Sequence, residues 1–458
     1  SQLAAGEADM RGLLGLIAAA LMAVAPAAAQ PAPAAPAPPP PVLFENVRVF
    51  SNGVTSGPTS VLVQDRRIAA IGPSVRAPAG ATRIAGRGRT LMPGLIDAHT
   101  HLTFSTLSIA QMLSPDMTPA MGQQAAAAEA GRMLLRGFTS IRDLGGPIFE
   151  VKARIDRGEI PGPRIWPSGA VISQTSGHGD FRLPSERSRR FFGKPSRAEE
   201  LDATFIADGR DEVLTAVREN LRRGASQIKL MAGGGVSSDY DPLDVAQYTL
   251  DELRAAVEAA ADWNTYVTVH AYTPRAIQKA IEAGVRVIDH GQLADEATAR
   301  LMAEKGVWWS IQPFIDDGTD SRWPEGSPNR IKQQQMQAGT DTAIALARRF
   351  RIKTAFGTDR LFDAAAAAQQ NADLVKMRRW YSPAEVLAMA TAANGELLAL
   401  SGPRAPVQEK LGVVEQGALA DLILVNGDPV ANLDLVADPA KNFAIIMKDG
   451  AIVKGEPR

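Results

Sequence analysis

Between about Leu91 and Leu400 the chain repeats one unit, a short apolar run of strand character followed by a longer stretch of amphipathic helical period. Eight runs can be read: Leu95–His101, Thr139–Asp143, Arg164–Val171, Gln227–Met231, Tyr266–His270, Arg286–His290, Val307–Gln312 and Lys353–Gly357. Helix-start signals fall between them, at Thr249 with Glu252 three residues on, at Thr273-Pro274, and at Ser382-Pro383 with Glu385. Strand–helix repetition over about 300 residues predicts an α/β fold, a (β/α)8 TIM barrel. A doubly wound sheet is the alternative, yet no Gly-rich dinucleotide fingerprint is present. Gly233-Gly234-Gly235 follows a strand without a Gly-Lys-Ser/Thr, and reads as a loop that lets backbone approach a ligand.

The two ends have another texture. Val42–Phe50, a turn at Ser51-Asn52-Gly53 and Ser60–Ile71 read as short strands, and strand character returns in Ala420–Val425 and Phe443–Val453 with a hairpin turn at Lys448-Asp449-Gly450. We expect residues 42–90 and 403–458 to form a small β-sandwich domain from both termini, around a barrel of residues 91–402. Residues 1–9 read as a leader remnant and 10–29 as a signal peptide, with Arg11, the apolar run from Leu13 to Val24 and the small residues Ala27-Ala28-Ala29. Residues 30–41 form a Pro/Ala linker. The expected location is periplasmic or secreted, with no membrane attachment after cleavage.

The 458 residues include no cysteine and five histidines, which removes disulfides, thiolate metal sites and a cysteine nucleophile. Lys plus Arg total 49 against 50 for Asp plus Glu, so no nucleic-acid partner is expected and a small molecule fits better. His99 and His101, two apart at a strand end, point to one face and can grip one metal ion. His270, His290 and Asp359 close later runs, at the end of barrel strands where active sites are built. Lys229 lies within another run. Singly, a strand-end Asp could cap a helix and a strand Lys could snorkel outward; jointly they form a set.

Met-Pro-Gly-Leu-Ile-Asp-Ala-His-Thr-His, from Met92 to His101, followed by that Lys, His, His and Asp in order, resembles the amidohydrolase superfamily in its binuclear-zinc form. Gly417 to Leu424 resembles the strand that closes the family's β-domain. Within the superfamily the chain looks like the imidazolonepropionase-like and Xaa-Pro dipeptidase-like branch, and most like bacterial amidohydrolases that cleave ochratoxin A. The resemblance implies two Zn2+ ions, the more buried held by His99, His101 and Asp359 and the outer by His270 and His290, with Lys229 carboxylated on its amine to bridge both. It implies metal-assisted amide hydrolysis in which Asp359 takes the proton of the attacking water and returns it to the leaving nitrogen. His178, and Tyr272 two beyond His270, are the candidate donors to the oxyanion or to a substrate carboxylate. A homo-oligomer is implied as well.

The function expected is an exported amidohydrolase of carboxypeptidase type, acting on N-acyl amino acids or dipeptides with ochratoxin A among its substrates. The alternatives are hydrolysis of a cyclic amide or lactone on the same fold, and a catalytically silent barrel that binds. Phe104, Ile311, Phe314, Leu361 and Phe362 could line an apolar pocket. Of Trp308 and Trp309, one should pack into the barrel and the other against its helices. The Arg-rich stretch from Arg182 to Arg197 reads as a solvated loop face, with carboxylate binding as the other option.

Overall fold

The computed structural model describes residues 39–318 and 323–455. The expected leader remnant and signal peptide, and all but the last residues of the expected Pro/Ala linker, lie outside the described residues.

Five strands come first: β1 (Val42–Ser51), β2 (Val54–Gln64), β3 (Arg67–Ile71), β4 (Thr82–Ala85) and β5 (Thr90–Pro93). The run read as one strand, Ser60–Ile71, is two, because the chain reverses at Asp65 and Arg66, both left-handed (φ 51° and 68°). Ten short strands follow: β6 (Leu95–Thr100), β7 (Phe138–Asp143), β8 (Arg164–Pro167), β9 (Val171–Ser173), β10 (Thr204–Ile206), β11 (Ile228–Met231), β12 (Val267–Ala271), β13 (Val287–His290), β14 (Trp308–Ile311) and β15 (Thr354–Phe356). The chain then returns with β16 (Leu422–Val425), β17 (Phe443–Lys448) and β18 (Ala451–Lys454). These three join the first five in one eight-stranded sheet, ordered β18-β17-β16-β5-β1-β2-β3 with β4 on β1. That sheet has an apolar core of its own, in which Phe44, Val61, Ile68, Leu422 and Leu424 are buried.

The middle strands are parallel, in a three-stranded run β6-β7-β8 and a seven-stranded run β10-β9-β11-β12-β13-β14-β15, with helices between them in a TIM-barrel-like α/β arrangement. The run read as one strand from Arg164 to Val171 is broken. β8 pairs with β7 and β9 with β11, and the chain steps between them at Gly169, where φ is +77° and a Cβ would lie 2.5 Å from Asn220 Oδ1. Helix starts follow the local chemistry: Thr249 with Glu252 and Ser382 with Glu385 form reciprocal capping boxes, and Pro274 opens the helix Pro274–Ala283. These helices turn small buried residues such as Ala256, Ala260, Ala276 and Ala280 toward the strands, which permits close approach. Trp308 packs with Ile96, Trp166 and Tyr266, a cluster separate from the large outer core that holds Trp309. The expected alternation is therefore present.

No ladder joins β15 to β6 among the described residues. Asn394, fully buried, bridges that seam: its Oδ1 accepts from the Phe356 N–H at 3.0 Å, and its Nδ2 donates to the carbonyls of Ile96 at 2.7 Å and Phe356 at 2.8 Å. Asn394→Ala would leave three buried backbone groups unpaired, at about 1 kcal/mol or more each. We expect a loss of about 3 kcal/mol of stability in all, read as a lower midpoint in calorimetric unfolding; an unchanged midpoint would show that the seam does not depend on this side chain.

Candidate active site

The strand ends bring the expected residues together. His99, His101, His178, Lys229, His270, His290 and Asp359 line one small cavity of about 40 Å³. All are buried except Asp359, which is nearly so. Nitrogen and oxygen donors of His99, His290 and Asp359 lie within 4.8 Å of one another. Asp359 Oδ1 is 3.3 Å from Nε2 of both His99 and His101, yet it makes no hydrogen bond. Both His290 (φ 78°) and Asp359 (φ 49°) sit in left-handed backbone, the strained conformation that clusters at functional sites.

What each histidine offers is set by what holds its other nitrogen. His101 Nδ1 faces the Gly145 carbonyl at 3.4 Å, and His290 Nδ1 faces Gln312 Oε1 at 2.7 Å. His99 Nδ1 faces Asp289 Oδ1 at 3.5 Å. In His101 and His290 the Nδ1 side meets an acceptor; His99 Nδ1 meets both that carboxylate and Gln312 Nε2, also at 3.5 Å, and in all three Nε2 is left for the cavity. His270 is reversed: its Nε2 faces the Gly234 carbonyl at 3.1 Å, leaving Nδ1. Burial pushes His99 down to about 4, and His270 and His290 well below the ordinary imidazole value. Neutral rings with inward lone pairs, set around a carboxylate oxygen without a hydrogen bond, are a donor set that fits cations.

Lys229 is held by a group that sequence reasoning passed over. Its Nζ lies 2.5 Å from Asp289 Oδ2, which also accepts from Thr268 Oγ1 at 2.7 Å. Asp289 Oδ1 accepts from Arg142 Nη2 at 2.8 Å, and the Arg142 guanidinium continues to the Ala98 carbonyl at 2.6 Å and the Tyr266 hydroxyl at 3.2 Å. Burial opposes the Asp289 charge, but the two cations outweigh it and hold the carboxyl well below its usual range. Burial lowers the Lys229 amine from its ordinary value, with Asp289 acting against that shift. Asp97, inside the Met92–His101 motif, was likewise not singled out. It accepts from the N–H groups of His99 (3.0 Å) and Thr358 (3.1 Å), from Thr358 Oγ1 (2.7 Å) and from Gln370 (2.9 Å), and burial raises it to about 6.

His178 stacks on His270 with ring centroids 4.0 Å apart and planes 23° from parallel. Tyr272 stands beside both outer histidines, its ring 4.8 Å from that of His270 and 5.2 Å from that of His290. The triglycine approaches these rings: Gly234 supplies the carbonyl to His270, and a Cβ on Gly235 would lie 1.9 Å from His178 Cε1. Phe104, Leu361 and Phe362 line the cavity as expected, joined by Phe181, Met231 and Val171. Ile311 packs instead in the outer core, and Phe314 packs with Tyr272. Arg182, Arg189, Arg190 and Arg197 are each paired with a nearby carboxylate, of Asp180, Glu199, Glu212 and Glu200.

The model of the Amidohydrolase family matches residues 90–455. An ochratoxinase of Aspergillus niger is 31% identical over 427 residues, covering 90% of this chain and 86% of that protein. A crystal structure of A. niger ochratoxinase superposes with a TM-score of 0.79 at 28% identity, covering 92% of this chain and 97% of the other. A prolidase complexed with N-methylphosphonate-L-proline superposes with a TM-score of 0.82 at 32% identity, covering 91% of this chain and all of the other (100%). The parallel barrel, the cluster of donors at its strand ends and these likenesses lead to one conclusion: the chain belongs to the amidohydrolase family and is a hydrolase acting on amide bonds.

Proposed function

We propose that the protein is an exported, binuclear-zinc amidohydrolase of carboxypeptidase type that cleaves N-acyl amino acids or dipeptides, with ochratoxin A, split to ochratoxin alpha and phenylalanine, among its substrates. The observation that carries this reading is the set of four histidines whose remaining ring nitrogens converge with Asp359 on one cavity. His99, His101 and Asp359 would hold the inner ion, His270 and His290 the outer, and Lys229, as a carbamate, would bridge them. Divalent ions supply Lewis acidity there, lowering the pKa of water and polarising a carbonyl.

The chain's own groups do the rest. Asp359 Oδ1, free of other hydrogen bonds, takes a proton from the attacking water and passes it to the leaving nitrogen, which would otherwise depart as an unstable anion. His178 and Tyr272 flank the outer histidines and are placed to meet the oxyanion or a substrate carboxylate. The apolar wall of Phe104, Phe181, Leu361 and Phe362 suits an aromatic amino-acid amide and excludes water from it. Supporting the substrate class is the likeness to an ochratoxinase and a prolidase. Export to the periplasm or medium rests on Arg11 and the apolar run from Leu13 to Val24, and the β-sandwich reading of the terminal sheet on its separate core. A homo-oligomer completes the proposal.

The test is a turnover screen of N-acyl amino acids and dipeptides varied at the C-terminal residue, ochratoxin A included, each as free acid and as C-terminal amide. Hydrolysis of the free acids alone is expected; equal rates on the blocked forms would remove the carboxypeptidase assignment. Metal analysis should find two zinc ions per chain, and fewer than one, with no activity restored by added metal, would overturn the metalloenzyme. Lys229→Ala should lose both metal and turnover, whereas unchanged activity would remove the carbamate bridge.

A pH experiment on the metal-free chain tests the neutral-ligand basis separately. His99, His270 and His290 have folded pKa values below the unfolded 6.5, so the folded chain binds fewer protons than the unfolded one beneath that pH. Stability present above pH 6.5 is therefore lost as pH falls toward about 4, where His99 itself titrates. The melting temperature of the metal-free chain should drop across that window, against the opposing pull of Asp97, which burial raises to about 6; imidazole ¹⁵N shifts that report protonated rings at about pH 5 would show that the rings are not held neutral.

A further inference from the structure

His178 is gripped from behind by the loop that follows β11, which carries none of the six candidate metal ligands. The Asp241 side chain has no solvent exposure, and its Oδ2 lies 3.2 Å from His178 Nδ1 while accepting the Gly235 N–H at 2.7 Å. Ser238 Oγ lies 2.6 Å from the same ring nitrogen. Two residues of the helix Pro328–Gln337 brace the loop: Asn329 Nδ2 donates to the Val236 carbonyl at 2.7 Å, and Lys332 Nζ to the carbonyls of Ser238 at 2.6 Å and Asp241 at 3.3 Å. The His178 ring is thus stacked on His270, closely approached by Gly235 and met at Nδ1 by a carboxylate and a hydroxyl, while Ser237 of the same loop lines the cavity.

We propose that Asp241 is a positioning residue that acts through His178, fixing the ring with its proton on Nδ1 and presenting Nε2 to the substrate side of the cavity. An imidazole with an unconstrained Nδ1 can rotate or exchange tautomers, and a histidine in the wrong tautomer is catalytically poor even when its position is kept. Asp241 is suited to prevent this because it is an acceptor only. Burial by itself would raise its carboxyl, but hydrogen bonds from His178, Ser238 and Gly235 outweigh burial and hold it below its usual range, so it remains an anion. A hydroxyl in its place would bias the tautomer less, since a hydroxyl can also donate. What Nε2 touches during turnover rests on the amide-hydrolase reading above; the tautomer does not.

The experiment uses the metal-loaded, full-length protein labelled with ¹⁵N-histidine. Long-range ¹H–¹⁵N spectra, with the His178 signals assigned by their loss in His178→Ala, should show a protonated Nδ1 in the unmodified protein; a protonated Nε2 with a bare Nδ1 would overturn the proposal outright. Asp241→Asn, which can donate to Nδ1, should move that signal toward the other tautomer and lower kcat by about 10²-fold or more, with metal content unchanged and KM shifted far less. Asp241→Glu keeps the acceptor and should recover part of the rate. Combining Asp241→Asn with His178→Ala should be no slower than His178→Ala alone, because the two act as one unit. Full additivity, or a tautomer indifferent to Asp241→Asn, would assign Asp241 to the loop fold only. A protein that hydrolyses no amide at all would overturn the functional reading while leaving the spectroscopic test intact.

Discussion

The barrel is organised around one carboxylate that meets no water. Asp289 on β13 receives Arg142 from β7, Lys229 from β11, Thr268 from β12 and the edge of His99 from β6, so five strands meet at two oxygen atoms. An unpaired ion in this position would cost several kcal/mol, and removing Asp289 would leave two buried cations without their carboxylate. The cluster therefore demands one register for all five strands. It also decides the chemistry above it: the carboxylate that balances Arg142 is the one that aims Lys229 and steadies His99, so two of the six candidate ligands inherit their positions from a group that binds nothing.

A second layer of constraint comes from two backbone carbonyls and one side-chain amide. Gly145 and Gly234 lend carbonyls to His101 and His270, and Gln312, buried in β14's wake, takes the Nδ1 of His290. Each contact fixes which nitrogen remains for the cavity, and each comes from a different loop or strand end, so the donor set is pre-oriented without mutual histidine contacts having to do it. The left-handed backbone at His290 and Asp359 costs of order 1–3 kcal/mol apiece. That strain persists because the residue before each is locked in place: Asp289 by its ion pairs, and Thr358 by its bonds to Asp97.

The site was legible where its signal is local. Histidines and an aspartate that terminate apolar runs announce strand ends, and period-two alternation puts His99 and His101 on one face and Trp308 and Trp309 on opposite ones. The breaks were not legible. Pro167-Ser168-Gly169 is a turn signal at the step from β8 to β9, masked by the apolar residues on both sides of it, and the turn at Asp65-Arg66 carries no glycine to mark it. Nor could Asp289, Arg142 or Asp241 be picked out, since their meaning lies in partners 147, 60 and more than 60 residues away. In sequence, Asp289 is merely the residue before a histidine. The Arg-rich stretch shows the converse: a conspicuous run in which Arg182, Arg189, Arg190 and Arg197 are spent on neighbouring carboxylates.

Closing the barrel and assembling the site are one event. The seam between β15 and β6 has no ladder of its own, and what crosses it includes Asp359 N–H to the His99 carbonyl at 2.9 Å and Thr358 to Asp97, the residues that flank or form the donor cluster. Opening the seam separates Asp359 from His99 and leaves two half-sites, one on each edge. Any cation that needs both halves binds only the closed ring, and by linkage stabilises it in proportion to its affinity. Asn394 then has a part in the chemistry without touching it: by satisfying the backbone on both sides of the gap, it holds the first and last strands at the spacing their ligands require.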